Sequence, residues 1–352
     1  MVPTREIYWN IIAGPIIYLM ALIAAVLLGY GIWRRVLLWR LGRPENRLDR
    51  IPRRIWGLVS EILGHRKQLR DIYPGLMHLF IFYGFSAMLI ATSMIAVQEW
   101  TGIHYLKGTL YLWYSLLSDL FGLLGIIGIF FALFRRTVWR PERINTVADD
   151  WIALLLLLLV FAQGFLVEGL RIAATEYRQN PSLALWSPGG YLVAVLISEW
   201  SEKTLISVHR FNWWFHTITA MSFIGYLGYA KFSHIWYGLL NIFFQNLEPS
   251  GKLTFVDIEA AMESEPDSIE TLGVEKMEQY SWKGLLDLDA CTNCGRCQDV
   301  CPAFLSGVPL SPRKLIQDMQ KHLSQMGPAL VKPGSNGGST GSEDAEMPAP
   351  LY

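Results

Sequence analysis

The chain has 352 residues, 52% hydrophobic and only 17% charged, with 30 Lys and Arg against 30 Asp and Glu. Soluble domains carry roughly a quarter charged residues, so this composition excludes an ordinary soluble globule; the zero net charge says nothing about partners, because the two signs are segregated along the chain. All 4 Cys fall between positions 291 and 301, which excludes the scattered disulfide framework of a secreted domain and points to metal in a reducing compartment.

Residues 1–10 lack the basic start of a signal peptide. The first apolar run is followed by Arg34, Arg35 and Arg40 without a small-residue cleavage site, so it reads as a retained span. Apolar stretches of about 20 residues can cross the hydrocarbon core as helices, and five are expected, at 11–33, 76–97, 110–134, 151–167 and 211–230. Lipid cannot satisfy an open backbone, so each must be helical. Segments 34–70 and 135–143 are dense in Arg and Lys, whereas 98–109 carries a single Lys. The positive-inside rule then puts the N-terminus outside and the C-terminus inside.

The expected fold is an all-α membrane protein: a five transmembrane helix bundle, N-out and C-in, with a small cytoplasmic α-helical ferredoxin-like segment. It divides into a membrane domain (1–245), an acidic linker (246–280), the ferredoxin-like segment (281–326) and a disordered low-complexity tail (327–352). Within these, 234–245 is apolar but too short to span and reads as an interfacial helix, and 311–323 reads as a soluble amphipathic helix. The location implied is the cytoplasmic (inner) membrane, multi-pass, in contact with lipid and with no nucleic-acid partner.

Cys291-Thr-Asn-Cys294-Gly-Arg-Cys297-Gln-Asp-Val-Cys301-Pro302 follows the bacterial ferredoxin spacing C-x₂-C-x₂-C-x₃-C-P. Two-residue gaps let three thiolates curl around one 4Fe-4S cubane, and Gly295 permits the tight backbone. A zinc site would place two C-x₂₋₄-C pairs apart. The fourth Cys of this spacing usually ligates the other cluster of a pair, and two clusters need eight thiolates. Three outcomes stay open: Cys301 closes the same cluster, another polypeptide completes a second one, or the chain is the front part of a longer one.

A His inside a span is costly and therefore a functional candidate. His216 and His234 stand eighteen residues apart, about five turns or ~27 Å of one helix, so one helix face would offer a haem ligand near each membrane surface. His78, one turn into the second span, supplies a further candidate. The bland alternative is a set of interhelical hydrogen bonds. His65 reads as an interfacial residue, His104 and His209 as outer-surface residues, and His322 as a residue of the soluble helix.

The stretch His216-Thr-Ile-Thr-Ala-Met and the run Lys231-Phe-Ser-His234-Ile-Trp236 resemble the last span of the gamma subunit of respiratory nitrate reductase. That family has five spans, an outside N-terminus and two b haems held by its second and fifth helices. The tail from Leu288 through the cysteines to Ser311-Pro-Arg-Lys314 resembles the start of the iron–sulfur subunit of heterodisulfide reductase. The fusion resembles membrane iron–sulfur oxidoreductases, some of which pass electrons from electron-transferring flavoprotein to menaquinone. The resemblance implies one or two b haems on His78, His216 and His234. It departs from the family at Met88, which stands where the second helix of that family has an outer His. Met88 and His65 are therefore further ligand candidates, with His65 pairing His234 in one alternative. The relatives' second cysteine motif is not present.

Asp119, Glu168 and Arg171 are charges at or within span edges and form the quinone-site candidates; Glu168 and Arg171, three apart, would otherwise simply pair with each other. The function expected is electron transfer between a cytoplasmic redox partner and the quinone pool, through a 4Fe-4S cluster and b-type haem. The partners implied are menaquinone or another quinone, and electron-transferring flavoprotein or a cysteine-rich iron–sulfur subunit. Two rivals remain: a non-catalytic haem b anchor subunit of a larger reductase or dehydrogenase, and a zinc-tailed membrane protein without redox function.

Overall fold

The computed structural model describes residues 3–249 and 274–331. Most of the expected acidic linker and nearly all of the expected disordered tail lie outside the described residues. Those described are mostly helical and contain no strand, only isolated bridges Thr4–Lys107 and Arg43–Ser281.

The chain forms two compact units. The first takes Met1–Leu28, His65–Pro141 and Thr146–Ala230; the second takes Gly29–Gly64, Glu142–Asn145 and Lys231–Tyr352. Helix α1 (Ile16–Trp39) contributes to both. It runs six residues beyond the expected end of the first span, straight through Arg34 and Arg35, because long basic side chains keep their charges in water while the stem continues the helix.

In the first unit, α1 is followed, after a segment belonging to the second, by α3 (Ile72–Thr101), α4 (Gly108–Phe134) and α5 (Ala148–Ala174). Among the described residues these three and α1 are the four helices long and apolar enough to cross a membrane. Only 11% of the apolar window of α1, and 11% of that of α3, is buried within the protein, so their hydrophobic surface faces outward, as lipid-facing helices require. Helices α3 and α4 pack along their length. A Cβ added to Gly84 would lie 2.6 Å from the Cα of Gly125, so two glycines allow the backbones to touch, as small residues do where no hydrophobic force drives helices together in lipid.

Short helices α6 (Glu176–Gln179) and α7 (Pro181–Ala184) lead to α8 (Pro188–Leu196), which packs on α5 and α4. Helix α9 (Glu202–Tyr226) lies along α5 and is capped by Ser201, whose Oγ accepts the Thr204 N–H at 3.2 Å. The expected fifth span falls on α9, which is not among the four sufficiently apolar helices. Its polar side chains His209, Asn212, Thr217 and Thr219 are buried against neighbours instead of being diluted by aliphatic ones.

The second unit includes α2 (Ile51–Gly64), α10 (His234–Phe243), α11 (Trp282–Asp289), α12 (Arg296–Asp299), α13 (Pro302–Leu305) and α14 (Pro312–Val331). Its core joins Leu38 and Trp39 of α1 to Tyr237, Leu285, Leu286, Leu288 and Leu323. The Trp39 indole N–H donates to buried Asp289 at 2.8 Å, and Arg35 stands 3.5 Å from the same carboxylate. Arg54, only 1% exposed, donates to the carbonyls of Phe243 and Gln245 at 3.0 and 2.8 Å, closing the C-terminus of α10 onto α2. Helix α14 continues to Val331, past the expected end of the ferredoxin-like segment at 326.

Candidate functional site

The cysteine loop grows out of α11. Ser281 caps that helix by accepting the Gly284 N–H at 3.1 Å, and the turn after it brings Cys291 N–H to the Leu288 carbonyl at 3.3 Å. The chain then turns through two left-handed residues, Asn293 (φ 57°) and Gly295 (φ 77°). Asn tolerates that region; at Gly295 a side chain is also blocked sterically, since a Cβ there would lie 2.5 Å from the Arg143 carbonyl oxygen. Cys297 falls on α12, and Cys301 immediately precedes α13, with Pro302 in its first turn, as Pro fits there without losing a hydrogen bond. Segment 142–145 braces the loop: Arg143 pairs with Asp299 at 2.6 Å and its carbonyl accepts from Arg313. From α14, Gln317 donates to the Cys291 sulfur at 3.4 Å.

All four cysteines are free thiols. Burial pushes the Cys297 thiol up, and the neighbouring Cys294 and Cys291 thiols push it further, while backbone hydrogen bonds to its sulfur act in the opposite direction. Such a thiol stays protonated until a metal displaces its proton on binding. Among the described residues no three His, Cys, Asp or Glu side chains are drawn together closely enough to hold a metal ion. Four thiols in the ferredoxin spacing are nonetheless the donor chemistry that fits an iron–sulfur cluster.

The expected histidines behave differently. One continuous helix carrying both His216 and His234 does not form: α9 ends at Tyr226, a 3₁₀ turn follows at Ala230–Ser233, and His234 opens α10. The helix gives way at Leu227, which keeps a right-handed backbone, and Gly225 and Gly228 on either side of it have low helix propensity. The assumed five-turn alignment therefore does not hold. His216 nonetheless has a buried Nδ1 with no hydrogen-bond partner among the described residues, and Gly164 of α5 leaves room beside it, its Cβ position lying 3.8 Å from the His216 Cε1. His234 Nδ1 lies 2.6 Å from the Lys231 carbonyl; the proton then sits on Nδ1 and Nε2 is the nitrogen for a ligand. Met88 turns its Cε to the Gly122 position of α4, 3.7 Å away.

Two histidines differ from expectation. His65, 2% exposed, is buried and its Nε2 lies 3.1 Å from His78 Nδ1. The backbone turns left-handed there (φ 46°), which folds the ring inward among Phe82 and Tyr83. His209, expected at the outer surface, is 3% exposed, edge-on to Trp9 at 4.7 Å, and its Nδ1 has no hydrogen-bond partner. Its separation from His216 is two helical turns, which places both on the α5-facing side of α9 and was a usable signal. Nothing in the apolar run of α5 announced Gln163, 5% exposed with both amide atoms unpartnered.

The charged candidates also rearrange. Asp119, 3% exposed, accepts the N–H groups of Gly189 and Gly190 at 2.7 and 3.1 Å, so its carboxylate caps the N-terminus of α8. Glu168 accepts from the Ser187 hydroxyl at 3.1 Å, and its side chain lies against Gly190, whose N–H Asp119 accepts. Arg171 does not pair with Glu168; its salt bridge is to Glu176, because α5 ends just beyond and the chain folds Glu176 back. Asp119 and Glu168 therefore share one site, with Arg171 beside it on another partner.

Comparison with known proteins supplies the context. Residues 282–303 match the family model of a 4Fe-4S binding domain. Over 345 residues the chain is 35% identical to the EtfAB:quinone oxidoreductase of Syntrophomonas wolfei, covering 96% of this chain and 47% of that protein. It is 30% identical over 319 residues to a probable membrane-anchored ferredoxin of Chromohalobacter salexigens, covering 87% of this chain and 41% of that one. Over 186 residues it is 26% identical to one subunit of the dihydromethanophenazine:CoB--CoM heterodisulfide reductase of Methanosarcina barkeri, covering 51% and 61% of the two chains. The chain thus spans less than half the length of the first two of these proteins. No solved structure matches it. With its four apolar helices and its matched cysteine segment, the chain is a membrane protein carrying an iron–sulfur domain, similar along most of its length to membrane iron–sulfur oxidoreductases.

Proposed function

We propose that the chain moves electrons between a soluble redox partner on the cytoplasmic side and the quinone pool of the membrane, through a 4Fe-4S cluster on Cys291, Cys294, Cys297 and Cys301 and b-type haem in the helical unit. The observation that carries this reading is the cysteine loop, set on a chain with four apolar helices. A cluster on a membrane-anchored chain has no evident use other than one-electron traffic with something in the membrane. The resemblance to a protein named EtfAB:quinone oxidoreductase supports electron-transferring flavoprotein and a quinone as the two ends.

In this reading α9 is the fifth span, its buried polar residues facing the bundle interior, where polar side chains of spans belong. The basic segments between α1 and α3 and after α4 then lie inside. His78, His216 and His234 are the residues proposed to hold haem in the manner of the nitrate reductase gamma subunit, with Met88 and His65 as further candidates. Haem, when bound, supplies one-electron redox chemistry. The chain's own contribution is to fix each imidazole: His78 through its bond to His65, His234 through the Lys231 carbonyl, His216 through burial against α5. The Asp119–Glu168 pair and Arg171 form the proposed proton-handling group beside the quinone.

The test is the visible and low-temperature EPR spectrum of the purified protein. Reduced b-haem bands with cluster signals support the reading, and His78→Ala, His216→Ala and His234→Ala should each remove haem absorbance while the protein still inserts. A colourless protein holding zinc would overturn it. The similarity to one component of a heterodisulfide reductase favours one second reading, a haem-bearing anchor subunit active only in a complex. That reading expects quinone-linked reduction to need an added subunit.

A further inference from the structure

We infer that His65 is a positioning residue for His78, accepting a hydrogen bond from the His78 Nδ1–H and so fixing its tautomer, ring orientation and electron-donating strength toward haem. The inference rests on the proposed haem reading and gives His65, there a further ligand candidate, a supporting role instead.

Three observations carry it. The first is the contact itself, 3.1 Å between His65 Nε2 and His78 Nδ1, within normal hydrogen-bond range. Neutral imidazole has one donor nitrogen and one acceptor. If His78 binds iron through Nε2, its proton must sit on Nδ1, so His65 Nε2 is the acceptor. The second is enclosure. The His65 ring is buried, 5.2 Å from the His78 ring, 4.7 Å from that of Phe82 and 6.0 Å from that of Tyr83, so neither imidazole is easily reoriented. The third is the backbone turn. His65 is the first residue past α2, which ends at Gly64, and adopts φ 46°, a left-handed conformation that commonly ends helices and that His tolerates. That turn carries the buried His65 ring onto His78. The two residues lie thirteen positions apart and on different sides of the helix start, so no helical periodicity produces the pair.

Ligating histidines are commonly oriented by a partner on the non-ligating nitrogen, which also raises ligand basicity. A more basic ligand stabilises the oxidised iron. Removing the acceptor should therefore raise the midpoint potential of the haem that His78 ligates.

The experiment uses the full chain with its cofactors. Potentiometric titration followed by haem absorbance, with EPR of the oxidised form, is applied to wild type, His78→Ala, His65→Leu and His65→Gln. The expected result is haem retained in both His65 variants, a rise in one midpoint potential and an altered low-spin EPR signal in His65→Leu, and partial return toward wild type in His65→Gln, whose side-chain carbonyl can accept the same bond. Should His65→Leu not accumulate, His65→Gln against wild type reads the same direction at smaller size. An unchanged potential and EPR signal in the His65 variants overturns the proposal. So does loss of haem in His65→Leu as complete as in His78→Ala, which would make His65 a ligand itself. Absence of haem in wild type, or full haem in His78→Ala, removes the underlying reading along with it and is recognised without any His65 variant.

Discussion

In the cysteine-bearing unit the groups that carry chemistry lie in one short loop, Cys291 to Cys301, whereas in the helical unit Asp119 meets Gly189 and Gly190 across seventy positions and His65 meets His78 across a helix start. The two regions also satisfy their polar atoms differently. The cysteine loop is braced by local turns and by one strap, Arg143 to Asp299, and leaves its thiols free for a cluster. The helical unit buries carboxylates and imidazoles against backbone N–H groups and one another, with a remainder, on Gln163, His209 and His216, that has no partner among the described residues. A short loop can be assembled by the metal it binds; a buried pair must be assembled by the fold.

The largest effect expected from breaking this contrast is at the cysteines. Cys294→Ser should abolish cluster iron, measured by iron analysis and EPR, while the helical unit still inserts into membrane. Cys301→Ser then separates the possibilities its spacing leaves open. If Cys301 closes the same cluster, the isolated chain loses about four irons; if it serves a second cluster, the first survives the change. Full iron in Cys294→Ser would remove the loop from the site.

Next comes Asp119. Replacing it by Ala leaves the N–H groups of Gly189 and Gly190 buried without acceptors, a loss of about 2–5 kcal/mol. Asp119→Asn keeps one acceptor oxygen and should cost roughly 1 kcal/mol. Denaturant unfolding in detergent or bilayer reads both, and equal losses in the two variants would show that α8 is not held by this carboxyl group. In the second unit Trp39→Phe should cost about 1–3 kcal/mol, because it strips a donor from buried Asp289; a change within experimental error would mean that Arg35 alone satisfies that carboxylate.

The smallest effect is a pH dependence. Hydrogen bonds from Arg54 and Arg50 lower the Asp49 carboxyl from its ordinary 3.8 to about 2. A depressed folded-state value means that its contribution is fully present above the ordinary value and is lost as pH falls through about 2. Asp49→Asn should therefore lose stability near neutral pH and converge with wild type on acidification below that range. Parallel thermal-melting curves for the two at all pH values would refute the linkage.

How much of this was legible follows the same division. The cubane spacing of the cysteines, the amphipathic helix at 311–323 and the four long apolar helices are local properties, decided by residues a few positions apart and by bulk hydropathy. A helix carrying His216 and His234 in register was a local inference too, and it failed because α9 ends at Tyr226 and a 3₁₀ turn intervenes before His234. Arg171 offers a second lesson. Three residues from Glu168 it has the spacing for a pair, yet it bonds Glu176, because the chain reverses just after α5 and brings a better-placed carboxylate.

By itself, then, the order of residues determined an all-helical membrane chain with an iron–sulfur loop, since thiol spacing and the length of an apolar run are set by chain geometry over a few ångströms. Only the tertiary structure decided which polar groups meet. The burial of His209, the His65–His78 bond, the capping of α8 by Asp119 and its proximity to Glu168 all require helices distant in sequence to pack first. The cost of leaving any buried polar atom unsatisfied then selects, among many residues of suitable chemistry, the one that packing happens to bring within reach.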